Sequence, residues 1–174
     1  EEMVAYGEAH NLNLFELAVA YESAMSGWGR EGVLEHARFL WSVIKNSIEK
    51  GLSKESPLVG YIQTSATEMR DFVSTPQALD LGALNHAIYA SQAVMEYSNS
   101  MGVIVCIPTG GSSGIVPGVL YGAGQAMGLD DEKMVEGLLA AGMIGAIMAR
   151  ETNFSGAWGC QAEVTSGCAL ATGG

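Results

Sequence analysis

Lysine and arginine are scarce in this sequence of 174 residues. Together they number eight, against nineteen aspartate and glutamate residues, and the formal net charge is −11. No run of basic residues forms a patch that could neutralise the phosphates of a nucleic acid. The composition therefore argues against a nucleic-acid partner.

Cysteine is also rare, with three residues, and no basic and apolar leader begins the sequence. An odd, small number of cysteines does not favour the disulfide framework of a small secreted protein. We therefore expect a reducing compartment and a cytoplasmic protein.

Long apolar runs are missing as well. The most apolar stretch covers residues 134–149, and it is sixteen residues long and contains Glu136. About 20 apolar residues are needed to cross the hydrocarbon of a bilayer. This stretch is therefore predicted to be a buried helix, with no membrane as partner.

Strand signals are limited to one place, the run GVIVCIP at 102–108, which has the β-branched density of a short strand. Elsewhere apolar residues recur with helical spacing. Asn13 precedes the first clear pattern as a possible N-cap. Helices are predicted at 14–25, 33–50, 67–73, 77–101, 114–127, 131–149 and 160–172.

The predicted fold is thus all-α: a compact multi-helix domain with Gly/Ser-rich loops and at most one short strand. No repeat or linker divides it, so residues 1–174 are predicted to form a single helical domain. The sequence finishes in CALATGG, which is apolar and lacks a polar helix stop. We expect the domain to be truncated at its C-terminus.

A glycine- and serine-rich segment, PTGGSSGIVPG at 108–118, lies between the candidate strand and a predicted helix. Exposed backbone N–H groups and hydroxyls at a helix N-terminus can hold a carboxylate or a phosphate. The segment lacks the Gly-Lys-Ser/Thr signature of a P-loop. It is either an anion site or a tight turn that requires glycine.

Cys160 lies where a glycine-broken loop enters a predicted helix, and the positive end of a helix favours a thiolate. It is a candidate metal ligand or nucleophile, or a packed thiol. Cys168 could not share one metal with it, because eight helical residues separate two positions by ~12 Å along the axis and ~80° about it. Cys106 and Cys168 are predicted to be buried thiols that pack as small hydrophobic groups.

Two segments together resemble the signature segments of the iron-sulfur-dependent L-serine dehydratase family, in particular its α chain. They are CIPTGGSSGIVPGVL at 106–120 and SGAWGCQAEVTSGCALA at 155–171. The N-terminal AHNLNLFELAVAYESAMSG and the intervening helix are similar too, so the resemblance covers nearly the whole chain.

The resemblance implies a lyase that converts L-serine to pyruvate and ammonia. In that family three cysteines hold a [4Fe-4S] cluster, and the iron left open acts as a Lewis acid on the substrate hydroxyl. Cys160 corresponds to one cluster ligand, and two further cysteine ligands are expected beyond Gly174. Cys106 and Cys168 correspond to no ligand.

The resemblance also implies the substrate-binding residues, which are Thr109, Gly110, Gly111, Ser112, Ser113 and Ser155. The glycine-serine loop would hold the substrate carboxylate. Glu163 matches the glutamate of the family's C-Q-x-E segment, but no role is assigned to it, and no catalytic base is identified. The expected partners are a small amino-acid substrate, a possible β chain and other copies of the chain in an oligomer.

Two segments depart from the family pattern. The loop SPLVGYIQTSA at 56–66 lacks the paired glycines of the family's S-G-L-T-G-G loop, which belongs to the substrate pocket, and ETNFSGA at 151–157 replaces N-A-S-I-S-G-A. Two alternatives therefore stay open. One is a related iron-sulfur lyase with another substrate, such as a cysteine desulfidase or a hydroxy-acid hydro-lyase. The other is a non-catalytic helical module.

Overall fold

A computed structural model describes residues 2–55 and 58–174 of the chain. These residues form eight α-helices and two single 3-10 turns, and no strand. The helices are α1 (Glu2–Ala9), α2 (Leu14–Ser26), α3 (Arg30–Gly51), α4 (Ala66–Val73), α5 (Ala83–Asn99), α6 (Ile115–Met127), α7 (Asp131–Met148) and α8 (Cys160–Gly173). The all-α prediction is confirmed.

The main core lies where α3, α5, α6, α7 and α8 meet. Its fully buried members include Ile44 and Ile48 of α3, Val94 of α5, Val116 of α6 and Val135 of α7. A second cluster, with Leu17 and Ala18 against Met143, packs α2 on α7. The apolar stretch at 134–149 is thus a buried helix, as predicted, and no helix among the described residues is both long and apolar enough to cross a bilayer.

Most predicted helices form close to their predicted bounds. Asn13 caps α2, because its Oδ1 accepts the backbone N–H of Glu16 at 2.8 Å. The largest difference is at α5, which begins at Ala83 instead of residue 77. A turn precedes it, in which the N–H of Gly82 donates to the side chain of Asp80 at 3.0 Å. This local bond holds the backbone away from helical hydrogen bonding.

The run at 102–108 forms no strand, because none of the described residues provides a partner strand for it. It runs as a non-helical connection from α5 to α6. Gly114, the residue before α6, and two glycines within α6 then bring that helix directly onto the backbone of α5. A Cβ at Gly114, Gly118 or Gly122 would lie 2.6, 2.7 and 2.6 Å from the carbonyl oxygens of Ser91, Ala87 and Ala83, respectively.

A buried carboxylate fixes the start of α4. Glu96 of α5 is 1% exposed, and its Oε1 accepts the backbone N–H groups of Ser65 at 2.6 Å and Ala66 at 3.0 Å. The first N–H groups of a helix lack partners within the helix, and the positive end of the helix dipole favours a carboxylate there. Glu96 therefore anchors the end of the 56–66 loop on α5.

Candidate active site

The fold brings the two segments singled out from the sequence into direct contact. Thr109, at the start of the glycine-serine loop, donates its hydroxyl hydrogen bond to Oε1 of Glu163 in the first turn of α8, at 2.7 Å. These residues are 54 positions apart in the sequence. The contact joins the loop before α6 to the cysteine-bearing end of α8.

The loop itself is one 3-10 turn, Gly110–Ser112, that leads into α6. Ser112 and Ser113 are 3% and 0% exposed, and Ser113 donates to the carbonyl oxygen of Thr109 at 2.6 Å. Gly110 and Gly111 are exposed. The side chains of Ser112 and Ser113 therefore hold the turn together, and the backbone of the two glycines faces outward.

The backbone N–H groups of Gly110 and Gly111 have no hydrogen-bond acceptor within 2–55 and 58–174. Thr109 Oγ1 lies 2.9 Å from Ser112 Oγ and 3.3 Å from the Ser112 backbone nitrogen, so it is the centre of the turn. Two free donors at one corner form the kind of concavity that binds anions.

Cys160 is the first residue of α8, and its side chain is exposed. Gly159 precedes it with φ +111°, a backbone conformation that L side chains rarely adopt. Residues i and i+3 share one helix face with Cβ atoms ~5–6 Å apart, so Cys160 lies beside Glu163. The cysteine is therefore presented next to the glycine-serine loop.

Ser155 lies in the turn just before α8 and is exposed. Its N–H donates to Oδ1 of Asn153 at 2.8 Å, and its Oγ accepts the N–H of Ala157 at 3.2 Å. These bonds fix the turn that places Gly156 beside the carboxylate of Glu163. A Cβ at Gly156 would lie 2.9 Å from Oε2 of Glu163.

The end of the 56–66 loop reaches the same region through α5; Ser56 and Pro57 of this loop lie outside the described residues. Gln92 of α5 donates to Ser65 Oγ. Gln92 also lines a shallow groove between α5 and α6 whose other wall includes Gly111 and Ser112. Gln92 thus connects the end of the 56–66 loop to the groove beside the glycine-serine loop.

The other two cysteines are exposed, so the prediction that they are buried is wrong. Cys106 does not lie inside a sheet, because the run at 102–108 forms no strand. Cys168 lies on the outer face of α8. Together with Cys160 they form no metal site: the part of the chain that the structure describes contains no group of three Cys, His, Asp or Glu side chains able to hold one metal ion.

Cys160 nevertheless fits the requirements for one ligand of a cluster. Its sulfur is accessible at the end of a helix, and the glycine before it lets the chain turn sharply there. Residues 2–55 and 58–174 thus offer this one candidate ligand but no complete ligand set.

The spacing Gly110-Gly111-Ser112-Ser113-Gly114 also matches the G-x-S-x-G pattern of serine hydrolases. A nucleophilic serine of that class is exposed on a turn between a strand and a helix, with a histidine as its base. Here Ser112 is buried and hydrogen-bonded to Thr109, and His86 on α5 contacts Tyr89 instead. The geometry does not support a hydrolase.

Known proteins are similar to this chain over most of its length. The family model described as Serine dehydratase alpha chain matches residues 9–174. A probable L-serine dehydratase alpha chain of Bacillus subtilis is 26% identical over 172 residues, which cover 98% of this chain and 57% of that protein. An L-serine dehydratase of Streptomyces coelicolor is 36% identical over 151 residues, covering 83% and 32%, respectively.

L-serine dehydratase 1 of Escherichia coli is 28% identical over 180 residues, which cover 99% of this chain and 39% of that protein. The chain thus spans between about a third and somewhat over half of the length of these relatives. The match to the family model covers all the site residues described above, from Thr109 to Glu163. The chain therefore belongs to the serine dehydratase alpha chain family.

Proposed function

We propose that residues 1–174 are the catalytic domain, or part of it, of an iron-sulfur-dependent L-serine dehydratase. The observation that carries this proposal is the direct contact between Thr109 and Glu163. It joins the loop suited to a carboxylate to the turn that carries the candidate cluster ligand. The names of the relatives support serine as the substrate.

In the proposed reaction L-serine loses its Cα proton and its β-hydroxyl group as water, which leaves 2-aminoacrylate. This enamine tautomerises to an imine, and water hydrolyses the imine to pyruvate and ammonia. The backbone N–H groups of Gly110 and Gly111 hold the substrate carboxylate. Thr109, Ser112 and Ser113 keep these donors in place, and Ser155 shapes the opposite side of the site.

A [4Fe-4S] cluster with one iron open, when bound, supplies a Lewis acid for the departing hydroxyl. Cys160 is the proposed ligand in this chain, and two further cysteines beyond Gly174 complete the set. The Bacillus subtilis relative is named an alpha chain, which supports a separate β chain as partner. A cytoplasmic location suits a cluster of this kind, since its ligands are reduced thiolates.

A second candidate keeps the cluster and changes the substrate. It is favoured by the altered 56–66 loop, whose end is joined to Gln92 in the groove beside Gly111. Cysteine desulfidation and glycerate dehydration both give pyruvate, as serine dehydration does. The same pyruvate assay, run with each substrate separately, therefore compares the three activities.

The test uses the full-length protein, reconstituted anaerobically with iron and sulfide, and measures pyruvate from L-serine, L-cysteine and glycerate. The expected result is a kcat/KM for L-serine that exceeds the other two by at least tenfold. Faster turnover of L-cysteine or glycerate would replace the substrate and retain the lyase. A cluster-loaded protein that forms pyruvate from none of them would refute the proposed function.

A further inference from the structure

No cationic side chain among the described residues pairs with the Glu163 carboxylate. The ion pairs within 2–55 and 58–174 involve other acids, and no lysine, arginine or histidine reaches Glu163 within 4.0 Å. Its Oε1 accepts the Thr109 hydroxyl, and no hydrogen bond to Oε2 is formed by the described residues. A partly buried carboxylate with an unused oxygen is a strong acceptor for a charged donor.

Glycines from both signature segments flank this carboxylate. A Cβ at Gly111 would lie 3.1 Å from Oε1, and a Cβ at Gly156 would lie 2.9 Å from Oε2. Any side chain at either position would crowd the carboxylate. The two glycines therefore let the backbone of both segments approach Glu163 closely.

The hydrogen-bond directions around Thr109 and Glu163 determine which groups remain available to a ligand. Thr109 gives its single hydroxyl proton to Glu163, so Ser112 must donate in the Thr109–Ser112 contact. Thr109 Oγ1 also accepts the backbone N–H of Ser112, so neither hydroxyl proton is available to a ligand. Among the described residues, the acceptor left over is Oε2 of Glu163, and the free donors are the N–H groups of Gly110 and Gly111.

The N–H donors of Gly110 and Gly111 suit the carboxylate of an amino acid, and the negative charge of Glu163 suits its ammonium group. We infer that Glu163 binds the substrate's ammonium group and thereby selects amino acids over hydroxy acids. A hydroxy acid brings only its carboxylate, and like charges a few ångströms apart repel. This inference rests on the proposed function, because the ligand is placed in the same site.

The test is direct binding, which does not depend on turnover. L-Alanine and L-lactate differ at C2 by an ammonium group against a hydroxyl, and neither has a β-hydroxyl to lose. Calorimetry with the full-length, cluster-loaded protein is expected to show tighter binding of L-alanine. Glu163→Gln keeps an oxygen that can accept from Thr109 and removes only the charge.

The variant is expected to bind L-alanine about 10- to 100-fold more weakly, since that is the range for a hydrogen bond to a charged group. Its affinity for L-lactate should change less than twofold or improve. Glu151→Gln, at an exposed acid before the site, removes the same charge and should leave both affinities unchanged.

Two results would overturn the inference: a wild-type protein without preference for L-alanine, or equal losses of both ligands in Glu163→Gln. Equal losses would make Glu163 a residue that only supports the loop. Failure of the proposed function has a different signature, which is the absence of pyruvate from a cluster-loaded wild type. The two failures are therefore separable.

Discussion

Cys160→Ala in the full-length protein is expected to abolish cluster assembly, with iron and sulfide content and pyruvate formation falling to background. The reason is that a cluster held by three protein thiolates loses one of its ligands, and alanine offers no replacement. Cys160 is exposed at the start of α8, one turn from Glu163. The measurement is iron and sulfide per chain after anaerobic reconstitution, with the visible absorbance as a second readout.

Cys168→Ala is the matched control. Cys168 is also exposed and lies on the same helix, but eight residues further along, ~12 Å away on the axis. It should keep full iron content and activity. If both variants lose iron equally, or if Cys160→Ala keeps it, Cys160 is not the ligand.

Gly118→Ala is expected to destabilise the protein by about 1–3 kcal/mol, the usual range for overpacking a close contact. A Cβ at Gly118 would lie 2.7 Å from the backbone oxygen of Ala87, and a backbone atom cannot swing aside as the end of a side chain can. The substitution must therefore push α6 off α5, together with the glycine-serine loop at the start of α6. Urea denaturation gives the change in the free energy of unfolding.

Gly142→Ala makes the same change at an open position. Gly142 lies within α7, and its Cβ would have no heavy atom within 4 Å. Alanine is a better helix former than glycine, so this variant should be more stable by about 0.5–1 kcal/mol. Equal effects of the two substitutions would contradict the close packing of α5 on α6.

Seven of the eight helices among the described residues could be predicted because each has a local signal, whereas α1 was not predicted. The cap at Asn13 and the apolar repeat of α3 are both visible within a few neighbouring residues of the sequence. The start of α5 was predicted six residues early, since leucines at 79, 81 and 84 continue the apolar pattern although they are exposed. The run at 102–108 has strand propensity, but a strand also needs a partner, which local composition does not reveal.

The two motifs of the candidate site could be recognised in the sequence. The glycine-serine loop and the start of α8 are recognisable motifs, and the structure places them together. The role proposed for Glu163 rests on a contact across 54 residues and on two glycines next to one carboxylate, and neither follows from spacing. The exposure of Cys106 and Cys168 was also missed. Apolar neighbours in the sequence do not determine whether a side chain faces the core or the solvent.

Pyruvate formation from L-serine by one sample of the full-length protein tests the central claim most directly. The sample is assayed after anaerobic reconstitution, again after exposure to air, and a third time after renewed reconstitution, with iron measured at each stage. We predict activity that is present, lost and recovered in parallel with the iron content. An iron-free protein that forms pyruvate at the same rate, or an iron-loaded protein that forms none, would contradict the account.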